Sequence, residues 1–278
     1  MALSGMRLRV LSAVVLALPV LLSVYIGFPA FDAIMAVAAL AMIVEWDQLN
    51  GSLKRDMSSR ALLRDTASWV LAIAVMSAVL CAMVGRYDVA LGALPIGGLA
   101  LYAVARAVSR QTPLLAASGV IYIGVPVIAM VWLRHDGAFG MASIFWLLAV
   151  VWATDTAALF CGRAIGGPKL APSISPNKTW SGFSGGLAGA AGVSLVAAIW
   201  AGVSSVSLLI AAGVVLSVAA QLGDLLESRG KRYLDVKDSG TIIPSHGGIF
   251  DRVDGLLTAA PALALVYLLA GGGGVLWR

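Results

Sequence analysis

The sequence predicts an all-α integral membrane protein of about nine transmembrane helices, N-terminus in the cytoplasm and C-terminus on the periplasmic or outer side. Three observations carry this. Of 278 residues, 60% are hydrophobic and only 12% are charged, and mean hydropathy is +0.94; a water-soluble chain of this length needs far more polar surface. Apolar runs of the length that spans hydrocarbon, about 20 residues, recur near 8–27, 30–46, 67–85, 89–106, 113–133, 139–161, 183–201, 205–226 and 256–276. With the N-terminus inside, sixteen Lys and Arg face the cytoplasm and only Arg86, Arg134 and Arg278 fall outside, which is the positive-inside signature. The net charge of +5 is accounted for by this asymmetry and by anionic headgroups, so no nucleic-acid partner is implied.

The runs differ in what they carry. Arg7 and Arg9 precede the first as in a signal peptide, but apolar residues continue past Pro19 without a small-residue cleavage site, which favours an uncleaved first helix. Asp32 opens the second run, and Glu45 and Asp47 mark its cytoplasmic end. All three are expected within reach of headgroup water, in structural or interfacial roles. Gly97, Gly98, Ala100 and Ala103 in the fourth run suit close helix packing. Cys81 and Cys161 sit in different runs and read as small buried hydrophobes rather than a disulfide or metal pair.

The chemistry begins after residue 135, which divides a packing region (1–135) from a catalytic region (136–278). Asp155 lies in the sixth run, about two turns from its cytoplasmic end. An ionisable group at that depth is a functional candidate; the plainer alternative pairs it with Arg163. The following loop, GGPKLAPSISPNKTWSG at 166–182, carries Pro172 and Pro176 and is expected to be non-helical. Its Ser175, Lys178 and Thr179 can donate to phosphate oxygens. GGGG at 271–274 reads as a frayed tail.

The segment from Gln221 to Gly255 holds six of the fourteen acidic residues and five of the nineteen basic ones. Gln221, Asp224 and Ser228 fall on one helix face, and Asp251 and Asp254 share another. Carboxylates at two helix ends suit Mg²⁺, a hard cation that keeps coordination sites for substrate phosphates. Lys231, Arg232, Lys237 and Arg252 supply charge for phosphate or pyrophosphate. In SHGG, His246 precedes Gly247 and Gly248, whose amides can approach an anion closely. A lipid-binding basic patch would explain Arg229 and Lys231, but not the interleaved acids.

These residues resemble the phosphatidate cytidylyltransferase (CDP-diacylglycerol synthase) family. Ser228, Lys231-Arg232, Lys237-Asp238, His246-Gly247-Gly248, Asp251-Arg252 and Asp254 stand at the family's spacing, preceded by Gly223-Asp224, by SPNKT at 175–179 and by Asp155 with Gly162-Arg163. The resemblance is dense from about 150 to 258. Three positions depart: Gly230, expected to loosen the end of the eighth helix; Ser181, which removes an acidic contact; and Ser245, which stiffens the His-Gly-Gly turn. The resemblance implies transfer of CMP from CTP to phosphatidate, giving CDP-diacylglycerol and pyrophosphate, in a multi-pass enzyme of phospholipid biosynthesis in the cell's inner, cytoplasmic membrane. It implies Asp224 and Asp251 as metal ligands with Asp254 in support. Lys231, Arg232, Lys237, Asp238, His246 and Arg252 fall to catalysis, and Asp155, Ser175, Lys178, Thr179, Ser228, Gly247 and Gly248 to substrate binding. Mg²⁺, K⁺ beside it, and a homodimer come with the family.

The nearest alternative is a CTP-dependent polyprenol or phytol kinase, which the run from His-Gly-Gly to Asp-Arg-x-Asp disfavours. A CDP-alcohol phosphotransferase needs later aspartates that the chain lacks after Asp254. A transporter would gather its polar residues at mid-membrane, whereas here they collect at cytoplasmic ends.

Overall fold

A computed structural model describes residues 17–51, 66–107, 112–234, 236, 239–240 and 247–278. Lys237, Asp238, Ser245 and His246, four positions singled out in the sequence, lie outside the described residues. In chain order the elements are α1 (Ala17–Ile26), then α2 (Ala30–Gly51), α3 (Thr66–Met83), α4 (Tyr87–Ala107), α5 (Pro113–Arg134) and α6 (Gly140–Ala164). They continue with β1 (Lys169–Ala171), β2 (Ser175–Thr179), α7 (Trp180–Ala201), α8 (Val206–Tyr233), α9 (Phe250–Ala270) and α10 (Gly274–Trp277). Seven helices among the described residues, α3 to α9, are long and apolar enough to cross a membrane. The chain is thus a nearly all-helical, multi-pass membrane protein.

Two compact units make up the chain: Met1–His135 with Asp238–Asp251, and Asp136–Lys237 with Arg252–Arg278. In the first, the core is built on Phe31, Val75, Leu94, Ile123 and Leu133, each at most 1% exposed. The three acids of α2 are not at headgroup water as expected: Asp47 is 8% exposed, and the other two are more deeply buried. Asp32 and Glu45 are both 0% exposed, because each is supplied with donors that replace water. His135 Nε2 lies 3.0 and 3.1 Å from the two Asp32 carboxylate oxygens, and its Nδ1 lies 2.7 Å from the Tyr87 hydroxyl. This chain of side chains ties α2 and α4 to the end of α5.

In the second unit, α6 and α7 approach so closely that a Cβ on Gly185 would stand 2.4 Å from Cys161 Cβ. The prolines of the following loop do exclude helix, and the segment folds as a hairpin. β1 and β2 pair antiparallel, with Lys169 opposite Thr179 and Ala171 opposite Ser175. Thr179 then caps α7, its Oγ1 accepting from the Gly182 amide at 3.1 Å; this satisfies one of the free amides of the first turn. Gly230 does not loosen α8, which runs on to Tyr233.

The glycine tail is not frayed. Gly271 and Gly272 take positive φ angles of 80° and 119°, turning the chain into α10. There Trp277 Nε1 donates to the Tyr267 hydroxyl at 2.8 Å, and the Arg278 carbonyl accepts from the Ser204 amide at 3.0 Å. Anchors on either side of the glycines hold what their backbone freedom would release.

Candidate active site

In the second unit, the end of α6, the β-hairpin and the starts of α7 and of the last turns of α8 enclose a cleft of about 710 Å³. Asp155 from α6, Lys178 and Thr179 from β2, and Gln221 and Asp224 from α8 line it. Asp155 is exposed within the chain and lines the cleft. Lys178 Nζ meets Asp224 Oδ2 at 2.5 Å, and Ser228 Oγ donates to Asp224 Oδ1 at 3.4 Å. Of the α8 face expected to carry Gln221, Asp224 and Ser228, the first two line the cleft and Ser228 reaches it only through Asp224.

Asp254, from the first turns of α9, joins this group. Asp155 and Asp254 both feel the Asp224 carboxylate and the Lys178 ammonium, and Asp254 feels Asp155 as well. Gly223 makes the approach possible: a Cβ there would lie 2.2 Å from Thr258 Oγ1 and 2.5 Å from the Asp254 carbonyl oxygen. Only glycine lets α8 and α9 close at this level, which sets the aspartate beside Gly223 near the aspartate across from it. Below the carboxylates, Thr154 Oγ1 donates to Ser217 Oγ at 2.9 Å, and Gln221 Nε2 donates to the Phe183 carbonyl at 3.3 Å. Three carboxylates within electrostatic reach of one ammonium leave excess negative charge, which draws cations.

The Cytidylyltransferase family model matches residues 7–270 of this sequence. The chain belongs to that family. It is 40% identical to the "Phosphatidate cytidylyltransferase" of Brucella suis biovar 1 (strain 1330) over 271 residues, 95% of this chain and 93% of the relative. Over 273 residues it is 30% identical to the protein of the same name from Staphylococcus epidermidis, covering 95% of this chain and 99% of the relative. A 155-residue match, 44% identical, links it to the Bacillus subtilis (strain 168) protein of that name, covering 54% of this chain and 55% of the relative.

The other expected positions of this cytidylyltransferase-family chain fall as follows. Ser175 pairs in the hairpin with Ala171 and is not among the residues lining the cleft. Ser181 donates to the Gly166 carbonyl and lies 3.0 Å from Thr179 Oγ1, so the position that lacks the family's acid instead ties the start of α7 to the turn after α6. Lys231 Nζ pairs with Glu227 Oε1 at 3.1 Å. Arg232 and Arg252 are exposed.

The first unit holds Gly247, Gly248 and Asp251. Gly247 has a φ of 79°, and Gly248 N donates to Asp251 Oδ2 at 2.9 Å. The Ser239 amide and hydroxyl donate to the same oxygen at 3.1 and 3.0 Å. Four residues of functional interest were not assigned site roles from the sequence, although Arg163 and Asn177 lie in stretches that match the family. Arg163, Lys169 and Asn177 line the cleft; two of them flank the glycines at 166–167, a signal of a basic rim. The fourth is Glu45, whose only mark in the sequence is a carboxylate at the end of an apolar run.

Proposed function

We propose that this chain transfers CMP from CTP to phosphatidate, forming CDP-diacylglycerol and pyrophosphate. The observation that carries the proposal is the family match over 7–270, joined to relatives named for that activity at up to 95% coverage of the chain. A phosphate oxygen of the lipid bonds to the α-phosphorus of CTP. The bond from that phosphorus to the bridging oxygen breaks, and pyrophosphate leaves with the electron pair. The nucleophile is already an anion, so no general base is required. The barrier lies in bringing two polyanions together in line, and this is met by positioning and by fixed charge.

Lys178 is placed to hold a phosphate of CTP or lipid against Asp224, with Arg163 and Lys169 on the rim of the same cleft. Lys231, Arg232, Lys237 and Arg252 supply the remaining cationic charge, and Asp238 and His246 retain the catalytic roles that the family resemblance implies. Asp224 and Asp254 are the carboxylates proposed for Mg²⁺, which when bound neutralises charge on the transferring phosphoryl group. The donor set fits that ion. Among the described residues no three His, Cys, Asp or Glu groups come together as a complete cage, and Mg²⁺ arriving on a nucleotide needs only one or two protein carboxylates. Asp251 stays a proposed ligand: carboxylates that bind metals are themselves commonly hydrogen-bonded, and its Oδ2 is. K⁺ beside Mg²⁺ and a homodimer belong to the same proposal.

The proposed topology is nine spans, with the cytoplasmic N-terminus that the positive-inside count favours, in the cytoplasmic membrane. That arrangement lets acyl chains stay in the bilayer while the headgroup meets cytosolic CTP. The test is purified protein in detergent with CTP, Mg²⁺ and phosphatidate. Pyrophosphate and CDP-diacylglycerol in equal amounts, dependent on both substrates, are expected. CDP formed with an isoprenoid alcohol would move the chain to the kinase reading.

A further inference from the structure

Glu45 has no role in the mechanism above, yet it is one of the most fully engaged side chains of the first unit. It is 0% exposed, and it accepts from the Ile249 amide at 2.6 Å and the Phe250 amide at 3.0 Å. Phe250 opens α9, so these are among the amides that a helix leaves without an internal partner. Ser239 Oγ bridges the two acids of this unit, 3.4 Å from Glu45 Oε2 and 3.0 Å from Asp251 Oδ2. Gly248 fits because it lacks a side chain: a Cβ would lie 2.0 Å from Ser239 Oγ and 2.6 Å from Glu45 Oε2. The next residue of α2 completes the clamp. Trp46 stands 5.7 Å from the Phe250 ring and 5.5 Å from Tyr122, whose ring stacks on Phe250 at 5.8 Å.

We infer that Glu45 is a positioning residue for cytidylyl transfer. Its carboxylate caps α9 from a distance of 204 positions in the sequence, and by seizing the Ile249 and Phe250 amides it fixes both the Gly247-Gly248 turn and the orientation of Asp251. A helix can be capped by a local Ser, Thr or Asp; here the residue just before α9 is Ile249, which has no acceptor. The cap is imported from α2. Charge-assisted bonds to two backbone amides are stronger and more directional than neutral ones, so a charged carboxylate at this point defines the first turn of α9 more sharply than an amide side chain would. Because Asp251 stands in that turn, its aim follows from Glu45. This inference rests on the functional reading of Asp251 and of the turn before it.

The experiment compares full-length wild type with Glu45→Gln and Glu45→Ala. Two quantities are read: hydrogen exchange of peptides covering 247–252, and kcat and KM for CTP and phosphatidate. Gln keeps one acceptor oxygen but turns an NH₂ group toward an amide, so it is expected to be the milder change. Exchange over 247–252 should quicken by at least about tenfold in Glu45→Gln, and kcat should fall by roughly a hundredfold, the scale of a misplaced reacting group. The KM for phosphatidate should stay within about twofold, and Glu45→Ala should exceed Glu45→Gln in both effects. Should the alanine variant not fold, the glutamine variant decides alone. Wild-type exchange and kinetics in Glu45→Gln would overturn the inference, as would a lowered Tm with kcat per folded molecule unchanged. Absence of turnover in wild type would sink the assigned reaction instead, while the exchange arm would still show whether Glu45 holds the turn.

Discussion

Two groups of carboxylates stand out, one in each unit, and the second includes a lysine among its partners. In the first unit, Glu45 and Asp251 are met by backbone amides and one serine: Ile249, Phe250, Gly248 and Ser239. In the second, Lys178 pairs with Asp224 beside an open cleft that Asp155 also lines, Ser228 donates to Asp224, the Gly255 amide donates to Asp254, and the three carboxylates lie within electrostatic reach of one another. Amides are part of the fold and cannot leave, so the first cluster is a fastening. A lysine on a flexible stem can leave, so the second cluster can trade its ammonium for another cation or offer it to a phosphate. The behaviour of an acid in a membrane chain is set by its donors. Backbone amides fix the aim of a carboxylate, as at Asp251, whereas a mobile ammonium such as that of Lys178 leaves its partner open to exchange.

Substitutions can break that comparison, and the largest effect is expected at the open cluster. Asp224→Asn should lower kcat by about 10³-fold, the scale of losing a preorganised electrostatic contact, with Tm unchanged, as read by pyrophosphate release and thermal melting. Lys178→Met should cost roughly a hundredfold in kcat/KM for CTP, about 2.7 kcal/mol of transition-state binding. It should also lower Tm in Mg²⁺-free buffer, where the aspartates lose their ammonium, with recovery on adding Mg²⁺. A Tm unaffected by Mg²⁺ in that variant would count against the exchange of cations.

Smaller effects sharpen the comparison. Gly223→Ala must push α8 and α9 apart, since the new methyl would overlap Thr258 Oγ1 and the Asp254 carbonyl. A stability loss of about 1–3 kcal/mol is expected from such overpacking, together with an approximately tenfold loss of activity per folded molecule. His135→Ala leaves Asp32 without its imidazole, at a cost of about 1–3 kcal/mol for a buried acceptor left unsatisfied. Activity per folded molecule should be unchanged, because this network belongs to the framework. Denaturant melts and specific activity of the folded fraction check both.

Much of this was legible in the sequence, for reasons that differ by region. Helices follow apolar runs, and runs of spanning length are hard to mistake. Gln221, Asp224 and Ser228 share a face because helical spacing dictates it, and the Ser228 contact with Asp224 shows that it does. Pro172 and Pro176 excluded a helix, although the hairpin needed the pairing of Lys169 with Thr179 to be seen. Glu45 was not legible. A membrane helix is apolar on every side, so periodicity does not report which face is buried in protein, and the amides that Glu45 accepts lie some 204 positions away. The glycine tail misled for a related reason, since Gly271 and Gly272 are flexible residues held by Trp277 and Arg278 beyond them.

We propose that the open cluster of the second unit holds the nucleotide and its metal. This is tested most directly by binding of Mn²⁺·CTP, followed by electron paramagnetic resonance, to wild type, Asp224→Asn and His135→Ala in detergent without phosphatidate. A bound signal is expected in wild type and His135→Ala, with at least a tenfold weaker affinity in Asp224→Asn. Equal affinity in all three proteins would contradict it and place the nucleotide elsewhere.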